Sequence, residues 1–171
     1  MVYERVKNDF ESGEKKYKRW ISLALQEANL IDLDSGLLAK TLLFPVNWNG
    51  NHWILVAVCL KQRHYFVLDP YSPNKASDDQ QRVADTLLKG LISIKSLKMK
   101  DGFEFMKENE FPFTSQADSF NCGVYVCIYM LNLMFDEFTP SVNCRKFRAL
   151  FVQWLMQKSI PHNALQLGVE S

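Results

Sequence analysis

Several classes of protein are excluded by features that the sequence lacks. Its longest purely apolar runs, such as Ile54 to Leu60, are far shorter than the roughly 20 residues that a membrane-spanning helix needs. The N-terminal stretch is polar and contains no apolar h-region, so we expect no secretory signal. The formal net charge is only +1, which gives no electrostatic reason to expect nucleic acid or an anionic membrane as a partner. We therefore expect an intracellular protein, nuclear or cytoplasmic.

Cysteine and histidine are too few and too scattered for a metal site. The four cysteines are Cys59, Cys122, Cys127 and Cys144, no two of which form a Cys-x-x-Cys pair, and there are three histidines. Two disulfides are arithmetically possible, but an intracellular chain usually keeps its thiols reduced. We expect no metal, no cofactor and at least one cysteine that is free to do chemistry.

No internal repeat, low-complexity tract or Pro/Gly-rich linker divides the 171 residues, so we expect one domain. Apolar periodicity predicts an α+β fold in which helices flank a small, mixed, mostly antiparallel sheet. Ser77 is the expected N-cap of one helix, with Gln80 completing a capping box. The predicted helices are 14–29, 78–96, 122–138 and 143–158, and the predicted strands are 41–46, 52–60, 64–69 and 103–106.

The two central strands predict a meeting between His52 and Asp69. If Lys61 and Gln62 form a two-residue turn, Ile54 lies opposite Asp69. His52 then shares the face of the hairpin to which Asp69 points, as a diagonal neighbour about 7–8 Å away at the backbone. This register brings an imidazole and a carboxylate together at the open end of the hairpin, whereas a one-residue slip would put them on opposite faces.

Cys122 stands where a polar loop gives way to an apolar helical run. A helix N-terminus favours the thiolate over the thiol, and a neighbouring imidazolium favours it further. Gly123 removes a side chain that could crowd a substrate backbone. Backbone N–H groups at the helix start, together with the Gln116 amide, can donate to a developing oxyanion. The pattern predicts Cys122 as nucleophile, His52 as its base and Asp69 as the acid that orients His52.

At FPVNWNGNHW, LDPYS and QADSFNCGV the chain resembles the Ulp1-like family of cysteine peptidases, which process or remove ubiquitin-like modifiers such as SUMO. Adenovirus-type proteases share the order His, Asp, Gln, Cys and belong to the same superfamily. The resemblance covers about residues 20–129. It implies that His52 is the general base, Asp69 the orienting acid, Gln116 the oxyanion donor and Cys122 the nucleophile.

The resemblance also implies a substrate. Trp53, directly after the base, is similar to an aromatic residue that narrows the channel for a Gly-Gly tail in this family. The expected activity is an isopeptidase or processing peptidase that cleaves after the C-terminal Gly-Gly of a ubiquitin-like protein of the SUMO, ubiquitin or NEDD8 type. The family's Trp-Leu-x-Asp-like segment, whose Trp covers the tail, has no counterpart that we find. We therefore expect residues 1–171 to be a single catalytic domain without that lid.

Other functions remain open at this point. A viral- or transposon-type endopeptidase would share the fold, and a non-catalytic module could bind a modifier without cutting it. An acetyltransferase is disfavoured because nothing signals a coenzyme site. Several residues have a purely structural interpretation: core packing for Cys59 and Cys127, aromatic packing for Trp48, and a surface or edge position for His64 and His162.

Overall fold

A computed structural model describes residues 31–32, 36–37, 40–94, 97–139, 141–157, 160–161 and 163–168. The predicted helix at 14–29 and His162 lie outside these ranges. Within them, no helix is long and apolar enough to cross a membrane.

The described part of the chain forms six strands and four helices. The strands are β1 (Ile31–Asp32), β2 (Gly36–Leu37), β3 (Thr41–Trp48), β4 (His52–Cys59), β5 (His64–Leu68) and β6 (Glu104–Phe105). The helices are α1 (Asp78–Ile92), α2 (Cys122–Phe135), α3 (Cys144–Gln157) and α4 (Ala164–Gly168).

Strands β3 to β6 form one sheet in sequence order, and β1 and β2 form a separate antiparallel pair. Strand β6 pairs parallel with β5, with His64 opposite Glu104 and Tyr65 opposite Phe105. The sheet is mixed and flanked by helices, so the predicted α+β class is confirmed.

The sheet is fixed by its apolar centre. Residues Ile54–Val58 of β4 are all fully buried, and Phe66, Val67 and Leu68 of β5 are nearly so. A continuous apolar and β-branched run is what a strand buried on both faces requires. Burial therefore holds the centres of the two strands in place, and the polar residues that could take part in a reaction lie at the strand ends.

The predicted hairpin turn is wrong in its length. The connection between β4 and β5 is four residues, Leu60 to Arg63, rather than the two residues Lys61 and Gln62. The favoured two-residue turns need positive φ at the first central residue or at both. In the described chain the positive φ in this connection falls on Arg63 instead, at 55°.

The helix starts agree with the predictions better than the helix ends. Helix α1 begins after Ser77 with both hydrogen bonds of the capping box, but it ends at Ile92 rather than near Ser96. Helix α2 ends at Phe135 because Asp136 takes the left-handed conformation, with φ of 54°. Helix α4 and the pair β1 and β2 had no clear pattern in the sequence and were not predicted.

The chain folds into two compact units. The first contains the described residues up to Leu43 together with Val56–Phe66 and Ser77–Lys107. The second contains Phe44–Leu55, Val67–Ala76 and the described residues from Glu108 onward. Its helical core is formed by Val124, Ile128 and Leu131 of α2 and Phe147 and Trp154 of α3, which are all buried. The expectation of a single catalytic domain stays a prediction.

The capping box of α1 gives a test of the fold. The Ser77 hydroxyl accepts from the Gln80 backbone N–H at 3.3 Å, and Gln80 Oε1 accepts from the Ser77 N–H at 2.8 Å. Ser77→Ala removes the first acceptor and should lower the free energy of unfolding by about 1 kcal/mol in urea denaturation. Ser77→Asp keeps a capping oxygen and should stay near wild type. Equal losses in both variants would contradict the cap.

Candidate active site

His52 and Asp69 meet where β4 begins and where β5 has just ended. The distance between His52 Nε2 and Asp69 Oδ1 is 2.8 Å, and the two side chains are only 13% and 9% exposed. The predicted contact between imidazole and carboxylate is therefore present. In this geometry Nε2 carries the hydrogen that is donated to the carboxylate, which leaves Nδ1 as the nitrogen that can exchange a proton with a nucleophile.

The turn after β5 fixes the carboxylate. Asp69 Oδ1 also accepts from the Tyr71 backbone N–H at 2.9 Å, and the Asp69 carbonyl accepts from the Ser72 N–H at 2.9 Å. The carboxylate cannot rotate away from the imidazole without losing the bond from Tyr71, and the bond from Ser72 holds the backbone that carries it. Asp69 is therefore a fixed acceptor for His52.

Aromatic rings confine the imidazole. The Tyr71 ring stacks on His52 with centroids 4.9 Å apart and planes 19° apart. Trp48 packs at 6.2 Å in a tilted arrangement. The packing role predicted for Trp48 therefore includes a position beside His52. Tyr71 was missed because a loop residue after Asp-Pro carries no sequence signal of stacking.

Cys122 is the first residue of α2 and is buried. A methyl group built on Gly123 would lie 3.6 Å from Trp53 Cδ1, an ordinary van der Waals contact. Since Trp53 directly follows His52, this contact places the start of α2 beside the start of β4. The nucleophile candidate and the base candidate thus come from two element ends that lie next to each other.

Gln116 is joined to the turn that holds Asp69. Its backbone N–H donates to the Pro70 carbonyl at 2.7 Å, and its side chain is buried. The amide nitrogen Nε2 contacts Asp118 twice, at 2.6 Å to the main-chain carbonyl and at 3.0 Å to Oδ1. The structure therefore brings Gln116 into the site's framework, and its role as oxyanion donor stays a prediction.

Asp118 organises the loop that leads to Cys122. Its carboxylate accepts from the backbone N–H groups of Phe120 and Asn121 and from the Asn121 amide. The hydrogen bond from the Asn121 side chain, followed by that from the Phe120 backbone, lowers the pKa of Asp118. Arg148 of α3 donates to Asn121 Oδ1 at 2.6 Å. Sequence reasoning missed Asp118, although an Asp three residues before the helix N-cap is a common turn signal.

A cavity of about 590 Å³ opens beside Cys122. Phe120 and Trp53 line it, and 71% and 40% of their surfaces are exposed. Aromatic surface at the rim and a thiol in the wall suit an extended peptide rather than a small polar ligand. The lining residues are Asn51, Trp53, Ser119, Phe120, Cys122, Gly123, Val124, Cys127, Arg148 and Phe151.

The other cysteines differ from the predictions at one position. Cys127 was expected to pack in the core, but it is exposed and lines the same cavity as Cys122. Helix α2 is apolar on most sides, so its sequence does not tell which side faces the cavity. Cys59 is half-buried in β4, and Cys144 is half-buried at the start of α3. In the described residues, no group of three or more His, Cys, Asp or Glu could hold a metal ion.

The sequence that carries this site matches a known protein family. Residues 3–163 match the sequence profile of the Ulp1 protease family, C-terminal catalytic domain. The chain belongs to the Ulp1 protease family. The resemblance predicted from the three sequence motifs is thereby confirmed.

Solved structures establish the fold of this Ulp1-family domain. The SUMO protease Ulp1 with its catalytic cysteine oxidised to a sulfonic acid is 19% identical with a TM-score of 0.67, and the match covers 89% of this chain and 65% of that one. The C-terminal Ulp1 protease domain in complex with Smt3, the yeast ortholog of SUMO, is 22% identical with a TM-score of 0.58. That match covers 76% of this chain and 53% of the solved chain. The chain thus spans less than two thirds of these solved chains, and none of the curated proteins matches it significantly by sequence.

Thiol reactivity tests the site of this Ulp1-family domain. Partial desolvation raises the pKa of the Cys59, Cys127 and Cys144 thiols. A thiol with a raised pKa stays protonated at neutral pH and becomes reactive only as pH rises beyond that pKa. At pH 7, iodoacetamide should therefore alkylate Cys122 at least about tenfold faster than the other three, and the gap should narrow above pH 9.

Peptide mapping by mass spectrometry measures these four rates. His52→Ala should remove most of the advantage of Cys122, whereas His64→Ala, a histidine outside the site, should leave it unchanged. Faster labelling of Cys127 than of Cys122 at pH 7 would contradict the assignment of the nucleophile.

Proposed function

We propose that this chain is a cysteine-type isopeptidase or processing peptidase that cleaves after the C-terminal Gly-Gly of a ubiquitin-like modifier. The observation that supports it most is the 2.8 Å contact between His52 and Asp69, made beside the helix start that carries Cys122. A base oriented by a fixed carboxylate and adjacent to a thiol is the arrangement that nucleophilic acyl transfer requires.

In the acylation step, the Cys122 thiolate attacks the carbonyl carbon of the terminal glycine and forms a carbon–sulfur bond. The carbonyl electrons move to oxygen, where Gln116 and backbone N–H groups at the start of α2 donate hydrogen bonds. The intermediate then collapses, the carbon–nitrogen bond breaks, and protonated His52 gives its proton to the departing amine. The product is a thioester between the modifier and Cys122.

In the deacylation step, water attacks the thioester carbonyl while His52 takes one of its protons. The carbon–sulfur bond breaks, the modifier leaves with a free carboxylate, and Cys122 returns to its starting state. Asp69 holds the imidazole in one tautomer and stabilises its charged form in both steps. The acid, the base and the nucleophile are all residues of this chain.

The environment of Trp53 and Gly123 supports a Gly-Gly tail as the substrate. The indole lies against the one residue of the α2 start that has no side chain. A peptide that lies in the cavity against both residues must itself have little side-chain volume. Two glycines meet this requirement, and larger residues do not.

The proposed modifier is SUMO-like, with ubiquitin and NEDD8 types as the alternatives. A solved domain of the same fold is in complex with Smt3, the yeast ortholog of SUMO, which supports this choice. The proposed partners are the modifier and its conjugates. The four cysteines are free thiols, as is usual in a reducing compartment, so we place the protein in the nucleus or cytoplasm.

A panel of modifier probes tests the reaction and the substrate together. SUMO, ubiquitin and NEDD8 that carry a C-terminal electrophile are each incubated with the wild type, and adducts are located by mass spectrometry. SUMO should label Cys122 alone. Cys122→Ala should form no adduct, and in parallel assays of a SUMO precursor Cys122→Ser should lower kcat by at least about a thousandfold.

The same panel separates the competing functions. Cleavage of a peptide library without capture of any modifier would identify a viral-type endopeptidase instead. Tight binding of a modifier without any adduct would identify a binding module. An adduct that persists in Cys122→Ala would place the nucleophile elsewhere and contradict the mechanism.

Gly123→Ala tests the channel separately from the chemistry. The methyl group would lie in ordinary contact with Trp53, and alanine favours a helix by about 1 kcal/mol over glycine, so thermal unfolding should be unchanged or slightly higher. The tail loses its space, so kcat/KM for a SUMO substrate should fall about tenfold or more. Alkylation of Cys122 by iodoacetamide is the control and should be unaffected. Unchanged kcat/KM would contradict passage of the tail at this position.

A further inference from the structure

The Gln116 carboxamide is held in an unusual way by a single neighbour. Both contacts of its nitrogen are made to Asp118, one to the main-chain carbonyl and one to the carboxylate. Its oxygen Oε1 is buried and has no hydrogen-bond partner within the described residues. The nitrogen of this amide is therefore held by two hydrogen bonds, whereas the hydrogen-bonding capacity of its oxygen is not satisfied by these residues.

We propose that Asp118 is a positioning residue for the oxyanion donor: it holds the Gln116 amide with one fixed contact and one contact that is exchanged for the oxyanion. The inference rests on the proposed function, because it gives Gln116 the role of donor to the tetrahedral intermediate. It adds a residue that touches neither substrate nor nucleophile and acts through Gln116.

The fixed contact belongs to the backbone. The Gln116 N–H donates to the Pro70 carbonyl at 2.7 Å, and two residues earlier the Thr114 carbonyl accepts from the Tyr129 hydroxyl at 2.8 Å. Nε2 then donates to the Asp118 carbonyl at 2.6 Å. These three bonds fix the chain on both sides of Gln116 and one N–H of its amide. The amide plane can still turn about this single bond, and the contact with Asp118 Oδ1 holds it at one angle.

The exchangeable contact belongs to the carboxylate. Asp118 Oδ1 is approached by three nitrogens: Gln116 Nε2 at 3.0 Å, the Phe120 N–H at 3.0 Å and the Asn121 N–H at 2.9 Å. One carboxylate oxygen offers about two lone pairs, so three donors share it and each bond is weakened. The Gln116 contact is the one made by a side chain and is therefore the easiest to release. An oxyanion in reach would replace it with a stronger, unshared acceptor.

The rest of the carboxylate stays in place when Gln116 leaves. Oδ2 accepts from the Asn121 amide at 2.7 Å, and the other end of that amide accepts from Arg148 at 2.6 Å. A neutral amide thus joins the carboxylate to a guanidinium of α3. Release of Gln116 therefore costs Asp118 one of four donors and does not leave the charge without partners.

Variants of Asp118 test the inference in the full chain. Asp118→Ala removes the exchangeable acceptor and should lower kcat for a SUMO precursor about 10- to 100-fold with KM within about twofold, because the donor is no longer aimed. Asp118→Asn keeps an oxygen that can take the place of Oδ1 but puts an amide nitrogen against that of Asn121, so it should recover the kcat only in part. Ser115→Ala, an exposed neighbour in the same loop, is the matched control and should behave as wild type.

A second pair of measurements separates positioning from loss of structure. The double variant Gln116→Ala with Asp118→Ala should be no slower than Gln116→Ala alone, because both act on one donor. Alkylation of Cys122 by iodoacetamide, which forms no oxyanion, should fall far less than kcat does in Asp118→Ala. Additive losses, or an equal loss of alkylation, would overturn the inference, and so would a rise in kcat.

A readout that needs no turnover distinguishes failure of this inference from failure of the proposed function. In ¹⁵N-labelled protein, hydrogen exchange of the Gln116 side-chain amide should be slow for both protons in the wild type and faster in Asp118→Ala. Equal exchange in the two proteins would overturn the positioning role even if the enzyme is active. An inactive wild type, or a Gln116→Ala variant with full kcat, would instead overturn the proposed function.

Discussion

The contact between His52 and Asp69 is the constraint on which the rest of the site depends. His52 is the first residue of β4 and Asp69 directly follows β5, so the two strands must be held in a single register for the side chains to meet at 2.8 Å. The buried runs of both strands hold them in place by close packing, and a slip of one residue would put His52 and Asp69 on opposite faces. The chain then continues into Pro70, whose carbonyl holds Gln116. One strand end thus fixes both the orienting acid and the origin of the loop that leads to the nucleophile.

The loop from Gln116 to Asn121, which leads to the proposed nucleophile, is held on a rigid frame. Helix α2 is packed against α3 through apolar residues, and its first residue is Cys122. Asp118 gathers the backbone before that residue, and Arg148 ties it to α3 through Asn121. Functional loops are precise when their own hydrogen bonds and the elements beside them limit their freedom. Here the hydrogen bonds of Asp118 and Asn121 limit the freedom of the loop, and the apolar packing of α2 against α3 limits the freedom of the helix that follows it.

The residues that could be predicted from the sequence are those whose signal is local. His52, Asp69 and Cys122 stand at the ends of strongly patterned elements, so their positions were predictable, and so was the contact between His52 and Asp69. Ser77 and Gln80 form a capping box, a pattern within four residues that predicts the start of a helix. Tyr71 and Asp118 could not be found in this way, because stacking on an imidazole and acceptance from a distant amide are consequences of folding. Cys127 was placed in the core wrongly because α2 is apolar nearly all round, which leaves its exposed side without a pattern.

The most direct measurement of the central claim is intact-mass spectrometry of the protein during turnover of SUMO that carries a C-terminal fluorogenic amide, stopped in acid. We predict a transient adduct whose added mass is that of the fluorogenic SUMO amide less the leaving amine. It should map to Cys122, release with hydroxylamine as a thioester does, and form before free SUMO accumulates. Release of the fluorophore without an adduct, or an adduct on Cys59, Cys127 or Cys144, would contradict it.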